Sequence, residues 1–343
     1  MSLKVAINGF GRIGRCFARA VAEDSDIEIV AINDLGDVKN LAYLLKYDTV
    51  YRTAKFEVAA GEQVITIGKN KAHFLQEKDP ANLPWKDLHV DVVVESTGFF
   101  TDFTKANAHI TAGAKRVVIS APAKSSADEA GVTVSGVTVL MGVNEEKLKD
   151  SKLSSNASCT TNSASPIIAI LDAAVGIEKA VLSTTHGYTA SQSLVDSPAK
   201  KDVKEGRAAA QNIVPTSTGA AIAVTQAYEQ LKGKFDGISL RVPVPAGSIA
   251  DITFIAKRDT TVEEVNKALK DAAASKGWQG IFSVTEEPLV SSDIIGSEFG
   301  SIADLGLTRV IGGNLVKVMA WYDNEMGYTH TLVRHVKAAG KLI

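Results

Sequence analysis

The chain has 343 residues, 45% apolar and 22% charged, with 37 basic against 39 acidic side chains and a formal charge of −2. That length and balance predict two globular domains with sizeable cores, and they leave no basic field to draw nucleic acid or an anionic membrane. Two cysteines argue against a disulfide framework and fit a reducing, cytoplasmic setting. No CxxC or HExxH supports a metal site, and no apolar run approaches the roughly 18 residues of a membrane span.

Residues 1–7 lead straight into a strand at 5–8, without the apolar region or cleavage site of a signal peptide. Gly9-Phe10-Gly11-Arg12-Ile13-Gly14 follows, then a helical pattern to Val21. This is G-x-G-x-x-G between a strand and a helix, where glycines permit a tight turn, close approach to a pyrophosphate and close helix packing. Cys16 shares a helix side with Ile13, Phe17 and Ala20 and reads as core. The next strand, 28–34, ends in Asp34, about 20 residues beyond the last glycine, where a carboxylate meets ribose hydroxyls. Leu35 follows and no arginine stands beside it, so NAD is favoured over NADP.

Residues 56–58 and 63–67 read as short strands of an antiparallel insertion within 51–84. Strands at 90–95 and 116–120, with a helical segment at 104–110 between them, continue a parallel, doubly wound sheet. Ser96-Thr97-Gly98 and Ser120-Ala121-Pro122 fall just after two of these strands, where loops line a cofactor cleft.

Residues 156–166 place Cys159 among the cap-type residues Ser158, Thr160, Thr161 and Asn162, ahead of an apolar run. This reads as a helix start. A thiol there lies near the positive end of the helix dipole, which favours thiolate, and the amide N–H groups can hold an oxyanion or a phosphate oxygen. Taken alone, such a cysteine is weak evidence, since most lone cysteines are small buried hydrophobes. Beyond it, 180–186, 237–244 and 249–256 are long strands of a mainly antiparallel sheet, hence a separate substrate domain. His186 ends the first of them. It can raise the thiolate fraction of Cys159 and shuttle a proton, or simply bond to backbone. The last helix, 328–339, has apolar positions at Leu332, Val333 and Val336.

The sequence resembles the phosphorylating glyceraldehyde-3-phosphate dehydrogenase family over essentially its whole length. The resemblance is carried by residues 8–15, Ser96-Thr97-Gly98, Ser158-Cys159-Thr160-Thr161-Asn162, His186 with Tyr188-Thr189, Thr218-Gly219-Ala220-Ala221, Arg241-Val242-Pro243 and Trp321-Tyr322-Asp323-Asn324-Glu325. It implies an α/β fold: a Rossmann-type NAD-binding domain at 1–158, completed by a C-terminal helix at 325–343, and an α+β catalytic domain at 159–324. It implies that Cys159 attacks the aldehyde of glyceraldehyde 3-phosphate, that His186 takes the hydroxyl proton as hydride passes to the nicotinamide, and that inorganic phosphate cleaves the thioester. The cofactor set carried over is Gly9, Gly11, Arg12, Ile13, Gly14, Asp34, Lys78, Thr97, Gly98, Ser120 and Asn324, the last binding the carboxamide. Thr189 and Arg241 would hold the substrate's own phosphate, and Ser158, Thr160, Thr218 and Gly219 the attacking one. A homotetramer is also implied, with 187–211 lining a neighbour's cofactor site.

Four positions depart from the family pattern. Ser163 replaces a second, non-catalytic cysteine, and Ser191 replaces an aspartate near the substrate phosphate. Met326 replaces a tryptophan. Glu205 stands where the family usually has an arginine facing inorganic phosphate: either Lys204 or Arg207 substitutes, or phosphate affinity is reduced, and of the neighbours Lys204 and Glu205 it is Lys204 that is expected to face the pocket. Two other enzymic readings remain open: a dehydrogenase for a related aldose phosphate such as erythrose 4-phosphate, and an aldehyde dehydrogenase releasing free acid. A cofactor-binding protein with little turnover is a third.

Overall fold

The structure is a computed structural model describing residues 2–199 and 202–343. The architecture is α/β, in two compact units: 1–157 with 329–343, and 158–328. Among the described residues no helix is long and apolar enough to cross a membrane.

The first unit begins with β1 (Leu3–Asn8), α1 (Arg12–Val21), β2 (Ile27–Asn33) and α2 (Val38–Lys46). A small ribbon, β3 (Tyr47–Asp48) with β4 (Arg52–Thr53), precedes β5 (Val58–Ala60), β6 (Val64–Ile67) and β7 (Asn70–Leu75). Then come β8 (Val92–Glu95), α3 (Phe103–Ala106), α4 (Ala108–Thr111), β9 (Arg116–Ile119), β10 (Val137–Thr138) and β11 (Leu153–Ser155). Nine of these strands form one sheet in the order β10-β11-β9-β8-β1-β2-β7-β6-β5. It is parallel from β10 to β7, and β7-β6-β5 continue it antiparallel. The antiparallel insertion therefore extends the main sheet through β7, which pairs with β2. The central strands are apolar runs buried along their length, as a sheet covered on both faces requires.

The expected helix at 104–110 is instead two four-residue helices that meet at Asn107, which keeps helical dihedrals and makes no side-chain cap bond. Cys16 is buried in α1 as expected.

The second unit opens with α5 (Cys159–Val175), then β12 (Ile177–Gly187), β13 (Val214–Ser217), α6 (Ala220–Ala227), β14 (Phe235–Val242), β15 (Ser248–Ala256), α7 (Val262–Ala274), β16 (Phe282–Thr285), β17 (Ser301–Ile311) and β18 (Leu315–Tyr322). Its seven strands run β13-β14-β12-β15-β18-β17-β16. Only the β12–β14 and β16–β17 pairs are parallel, so the sheet is mainly antiparallel. β15 alternates buried and half-buried residues, so one face is packed, and α5, α6 and α7 share its core.

The chain ends in α8 (Met326–Gly340). Within the first unit, His335 on α8 donates from Nδ1 to Asn156 Oδ1 (3.1 Å) and accepts at Nε2 from Ser154 Oγ (2.8 Å). The ring is fully buried, and burial, helped by the Arg116 charge, pushes its pKa down to about 3. The unfolded chain takes up that proton near its ordinary value, about 6.5. The stabilisation is therefore complete above that pH and is lost as pH falls, by at most about 1.4 kcal/mol per pH unit. The thermal midpoint should accordingly drop between pH 7 and pH 4, and His335→Gln, which cannot titrate, should flatten the dependence. An equally steep fall in that variant would assign the acid sensitivity to other groups.

Candidate active site

Ser158 sits at the N-cap of α5 in extended conformation and its Oγ accepts from Thr161 N (3.1 Å). Cys159 is thus the first helical residue. Burial alternates along the end of β12, so Leu182, Thr184 and His186 lie on the packed face while Ser183 and Thr185 turn away from it. This brings His186 Nε2 to 3.2 Å from Cys159 Sγ. Tyr322, the last residue of β18, is buried with its ring edge-on to His186, and its hydroxyl meets Thr160 Oγ1 (2.9 Å) and Thr184 Oγ1 (2.7 Å). One phenol therefore joins the start of α5 to β12.

His186 Nδ1 lies 2.6 Å from the Gly187 carbonyl and 2.6 Å from the Arg241 guanidinium. The guanidinium only donates, so these contacts belong to two tautomers. The one that donates to Gly187 leaves Nε2 as an acceptor facing the sulfur, as a general base requires. Burial, then the Arg241 charge, pushes His186 down to about 3. Burial also pushes the Cys159 thiol up, against the pull of Arg241 and of hydrogen bonds from Thr160. The resting pair is therefore thiol and neutral imidazole. Desolvation outweighs the thiolate-favouring helix start that the sequence suggests.

The phosphate candidates are placed as follows. Thr160 is buried with its hydroxyl on Tyr322, and the Ser158 hydroxyl meets Thr161 Oγ1 at 2.7 Å. Gly219 caps α6 and has nothing within 4 Å of the position a Cβ would take, while Thr218 Oγ1 accepts from Ala220 N. Arg241 is turned to His186 and Gly187 O, and Thr189 Oγ1 meets Ser191 Oγ at 3.1 Å. The smaller Ser191 thus takes up the threonine hydroxyl where the family pattern has a carboxylate.

Lys204 lies in an exposed 3-10 turn, Val203–Gly206, with Nζ 3.4 Å from Asp202, the residue that caps the turn. Arg207 pairs with Asp196. Each cation has a local carboxylate partner within a few residues or across the loop.

In the first unit the glycine loop has the shape a dinucleotide needs. Gly9 is in the left-handed region (φ +93°), where a Cβ would come within 2.6 Å of Thr97 N. A Cβ at Gly14 would meet Gly9 O at 2.2 Å, so helix and loop pack without room for a side chain. Gly11, between them, faces open space. Asp34 is anchored beside this loop by Phe10 N (2.7 Å) and Gly36 N (2.8 Å), one bond to each oxygen, leaving lone pairs for ribose hydroxyls. The N-terminus of α1 adds its N–H groups, with Ile13 in its first turn. These residues fit NAD. The Arg12 side chain is committed to Asp48 and lies over Tyr51.

Lys78 is exposed, on a segment fixed beside the end of β2 by two bonds between Glu77 backbone and the Asn33 side chain. Ser120 follows β9 and donates its N–H to Glu95 O, and Gly98 has φ +75°. Thr97 gives its N–H (2.8 Å) and hydroxyl (2.5 Å) to Glu95. Asn324, in the second unit, is buried with Oδ1 on Ser248. Sequence reasoning does not single out Glu95, Tyr322 or Ser248. A glutamate ending an apolar strand and a tyrosine on the packed side of β18 are the available signals. Among the described residues no cluster of three or more His, Cys, Asp or Glu could hold a metal.

Cys159 is half-buried beside a base, whereas Cys16 is buried in α1. Iodoacetamide should therefore modify Cys159 at least ~100-fold faster than Cys16, and Cys159→Ala should abolish turnover while leaving NAD binding intact. Comparable labelling of both cysteines would remove Cys159 as nucleophile.

The glyceraldehyde 3-phosphate dehydrogenase NAD binding domain model matches residues 3–103, and the C-terminal domain model of the same family matches 158–324. The chain is 48% identical over 336 residues to glyceraldehyde-3-phosphate dehydrogenase 2 of Streptomyces avermitilis, covering 97% of each chain. It is 48% identical over 349 residues to glyceraldehyde-3-phosphate dehydrogenase of Mycobacterium avium, covering 99% of each, and 46% identical over 336 residues to that of Zymomonas mobilis, covering 97% of each. With both domain models matched and identity of this level along nearly the whole length, the chain belongs to the glyceraldehyde-3-phosphate dehydrogenase family.

Proposed function

We propose that this chain oxidises D-glyceraldehyde 3-phosphate to 1,3-bisphosphoglycerate in glycolysis, with NAD as oxidant and inorganic phosphate as co-substrate. The observation that carries this reading is the 3.2 Å contact between Cys159 and a neutral His186 at the start of α5. The Cys159 sulfur adds to the aldehyde carbon, the thiol proton passes to His186 Nε2 and then to the former carbonyl oxygen, and a hemithioacetal forms. His186 next takes the hydroxyl proton while the carbon loses its hydrogen with both electrons, leaving a thioester. Bound NAD supplies the acceptor for those two electrons. N–H groups at the start of α5 have no intrahelical acceptor and can hold the developing oxyanion. A phosphate oxygen then attacks the thioester carbon, the C–S bond breaks, and Cys159 leaves as thiolate.

In this reading Asp34, the glycine loop, Lys78, Thr97, Gly98, Ser120 and Asn324 hold the cofactor, with Asn324 on the nicotinamide carboxamide. Arg241 and Thr189 take the substrate phosphate, and Ser158, Thr160, Thr218 and Gly219 the attacking one. Residues 1–158 with 325–343 serve the cofactor and 159–324, Asn324 apart, the substrate. We also read the chain as a cytoplasmic homotetramer. A reactive free thiol favours a reducing compartment. Leu194, Val195, Val203 and Ile213 expose apolar surface in or beside 187–211, which favours a subunit contact there. Lys200 and Lys201, inside that segment, lie outside the described residues.

NADH formation from glyceraldehyde 3-phosphate should require inorganic phosphate and saturate with it. Thr218→Val should raise the KM for phosphate by about tenfold, with the KM for the aldehyde nearly unchanged. Lys204→Ala should change the phosphate KM by less than about twofold, because that lysine is exposed and paired with Asp202. A severalfold rise would show that Lys204 leaves its partner for phosphate. NADH formation without phosphate would instead favour an enzyme that releases free acid.

Asp34 should disfavour a 2′-phosphate by at least ~1.4 kcal/mol, about tenfold in relative affinity. Asp34→Gly should narrow the preference for NAD. Equal catalytic efficiency with NAD and NADP in the unaltered protein would contradict this role.

A further inference from the structure

We propose that Ser248 is a positioning residue that sets which end of the Asn324 carboxamide faces the cofactor. The proposal rests on the reading that Asn324 holds the nicotinamide carboxamide.

Ser248 is the first residue of β15, pairs in register with Tyr322 and is 1% exposed. Its Oγ accepts from Gly187 N (3.1 Å) and donates to Asn324 Oδ1 (2.8 Å). The direction of both bonds follows from donor chemistry. A backbone N–H can only donate, so it occupies a lone pair of the hydroxyl. The single hydroxyl proton then goes to the acceptor within reach, Asn324 Oδ1. Both serine and asparagine are buried, so leaving that proton unpaired would be costly.

The consequence is orientational. A side-chain carboxamide can turn by about 180° and exchange a two-proton donor for an acceptor with little change of shape. With Oδ1 held by Ser248, Nδ2 is the end left to meet a ligand. A donor there complements a carbonyl oxygen and rejects an amide NH2. The cofactor's carboxamide would then meet Asn324 through its oxygen and not its nitrogen. Ser248 touches no ligand atom and acts through Asn324. The same hydroxyl accepts from Gly187 N, which fixes its remaining proton on Asn324.

The test compares NAD with ADP-ribose, which lacks the nicotinamide, by calorimetry on the intact protein, Ser248→Ala, Asn324→Ala and the double variant. Ser248→Ala should weaken NAD by about threefold to tenfold and leave ADP-ribose within about twofold. The double variant should bind NAD no more weakly than Asn324→Ala alone, because the two residues act as one unit. Cofactor-free alkylation of Cys159 by iodoacetamide should stay within about twofold, since the Cys159–His186 pair is not the target. Should Ser248→Ala fold poorly, Ser248→Cys keeps the volume and a weak donor and should give an intermediate loss of NAD affinity.

If Asn324→Ala weakens NAD while Ser248→Ala and Ser248→Cys do not, the proposal fails and the reading of Asn324 stands. If Asn324→Ala leaves NAD unchanged, that reading fails and takes the proposal with it. Parallel loss of NAD and ADP-ribose affinity, additive losses in the double variant, or a large fall in alkylation would each make Ser248 a general structural residue.

Discussion

The contact on which the chemistry of the second unit depends is 3.2 Å between Cys159 sulfur and His186 Nε2. It joins the first residue of a helix to the end of a strand, 27 residues apart, and neither element could place it alone. The distance is set underneath. Ile167, Ile168 and Leu171 of α5 share a buried core with Leu182, Ile252 and Val318 of the sheet. Each such side chain contributes roughly 1.5–3 kcal/mol on burial, against about 1 kcal/mol for one hydrogen bond. Apolar burial therefore brings the helix onto the sheet, and polar contacts choose its register. The Tyr322 hydroxyl does this by meeting Thr160 on α5 and Thr184 on β12. A slip of β12 by one residue would turn Thr184 and His186 to the other face and lose both contacts together.

The first unit solves a different problem with buried polar groups. Asn8, Asn33 and Glu95 end three neighbouring strands in register, where a parallel sheet opens its ligand crevice. A carboxylate as buried as Glu95 is costly unless every lone pair is used. Asn8 Nδ2 (2.6 Å), His109 Nε2 (3.1 Å) and the N–H and hydroxyl of Thr97 all converge on it. The His109 tautomer is fixed as well. The Trp85 indole N–H can only donate, so His109 Nδ1 accepts and Nε2 carries the proton to Glu95. This network holds the Thr97 loop against Gly9, so the cradle at Gly11 is formed by the protein's own bonds.

What is legible in the sequence is local. The glycine loop, the capped cysteine and the strand ending at His186 are each set within about ten residues, so spacing and cap chemistry reveal them. The break between α3 and α4 escapes such reading because Asn107 keeps helical dihedrals and makes no side-chain cap bond that a cap pattern would reveal. Side-chain destinations are less legible still. Arg12 reaches Asp48, 36 residues on, and Ser248 reaches Asn324, 76 residues on. Lys204 stays local by contrast: Asp202, two residues away, both caps its turn and pairs with its charge.

The electrostatics of the cysteine follow from the same packing. Burial that fixes the sulfur and imidazole to within hydrogen-bond distance also makes a charged pair costly there. Arg241 adds a positive charge that favours thiolate but opposes imidazolium. The two effects act on opposite members of the pair, so the guanidinium cannot by itself drive the proton from sulfur to nitrogen. The proton stays on sulfur at rest, with a base already in line to receive it. The helix start contributes where charge appears during reaction, because its N–H groups are oriented before any charge develops. The site is therefore arranged to stabilise charge as bonds change, and not to store it beforehand.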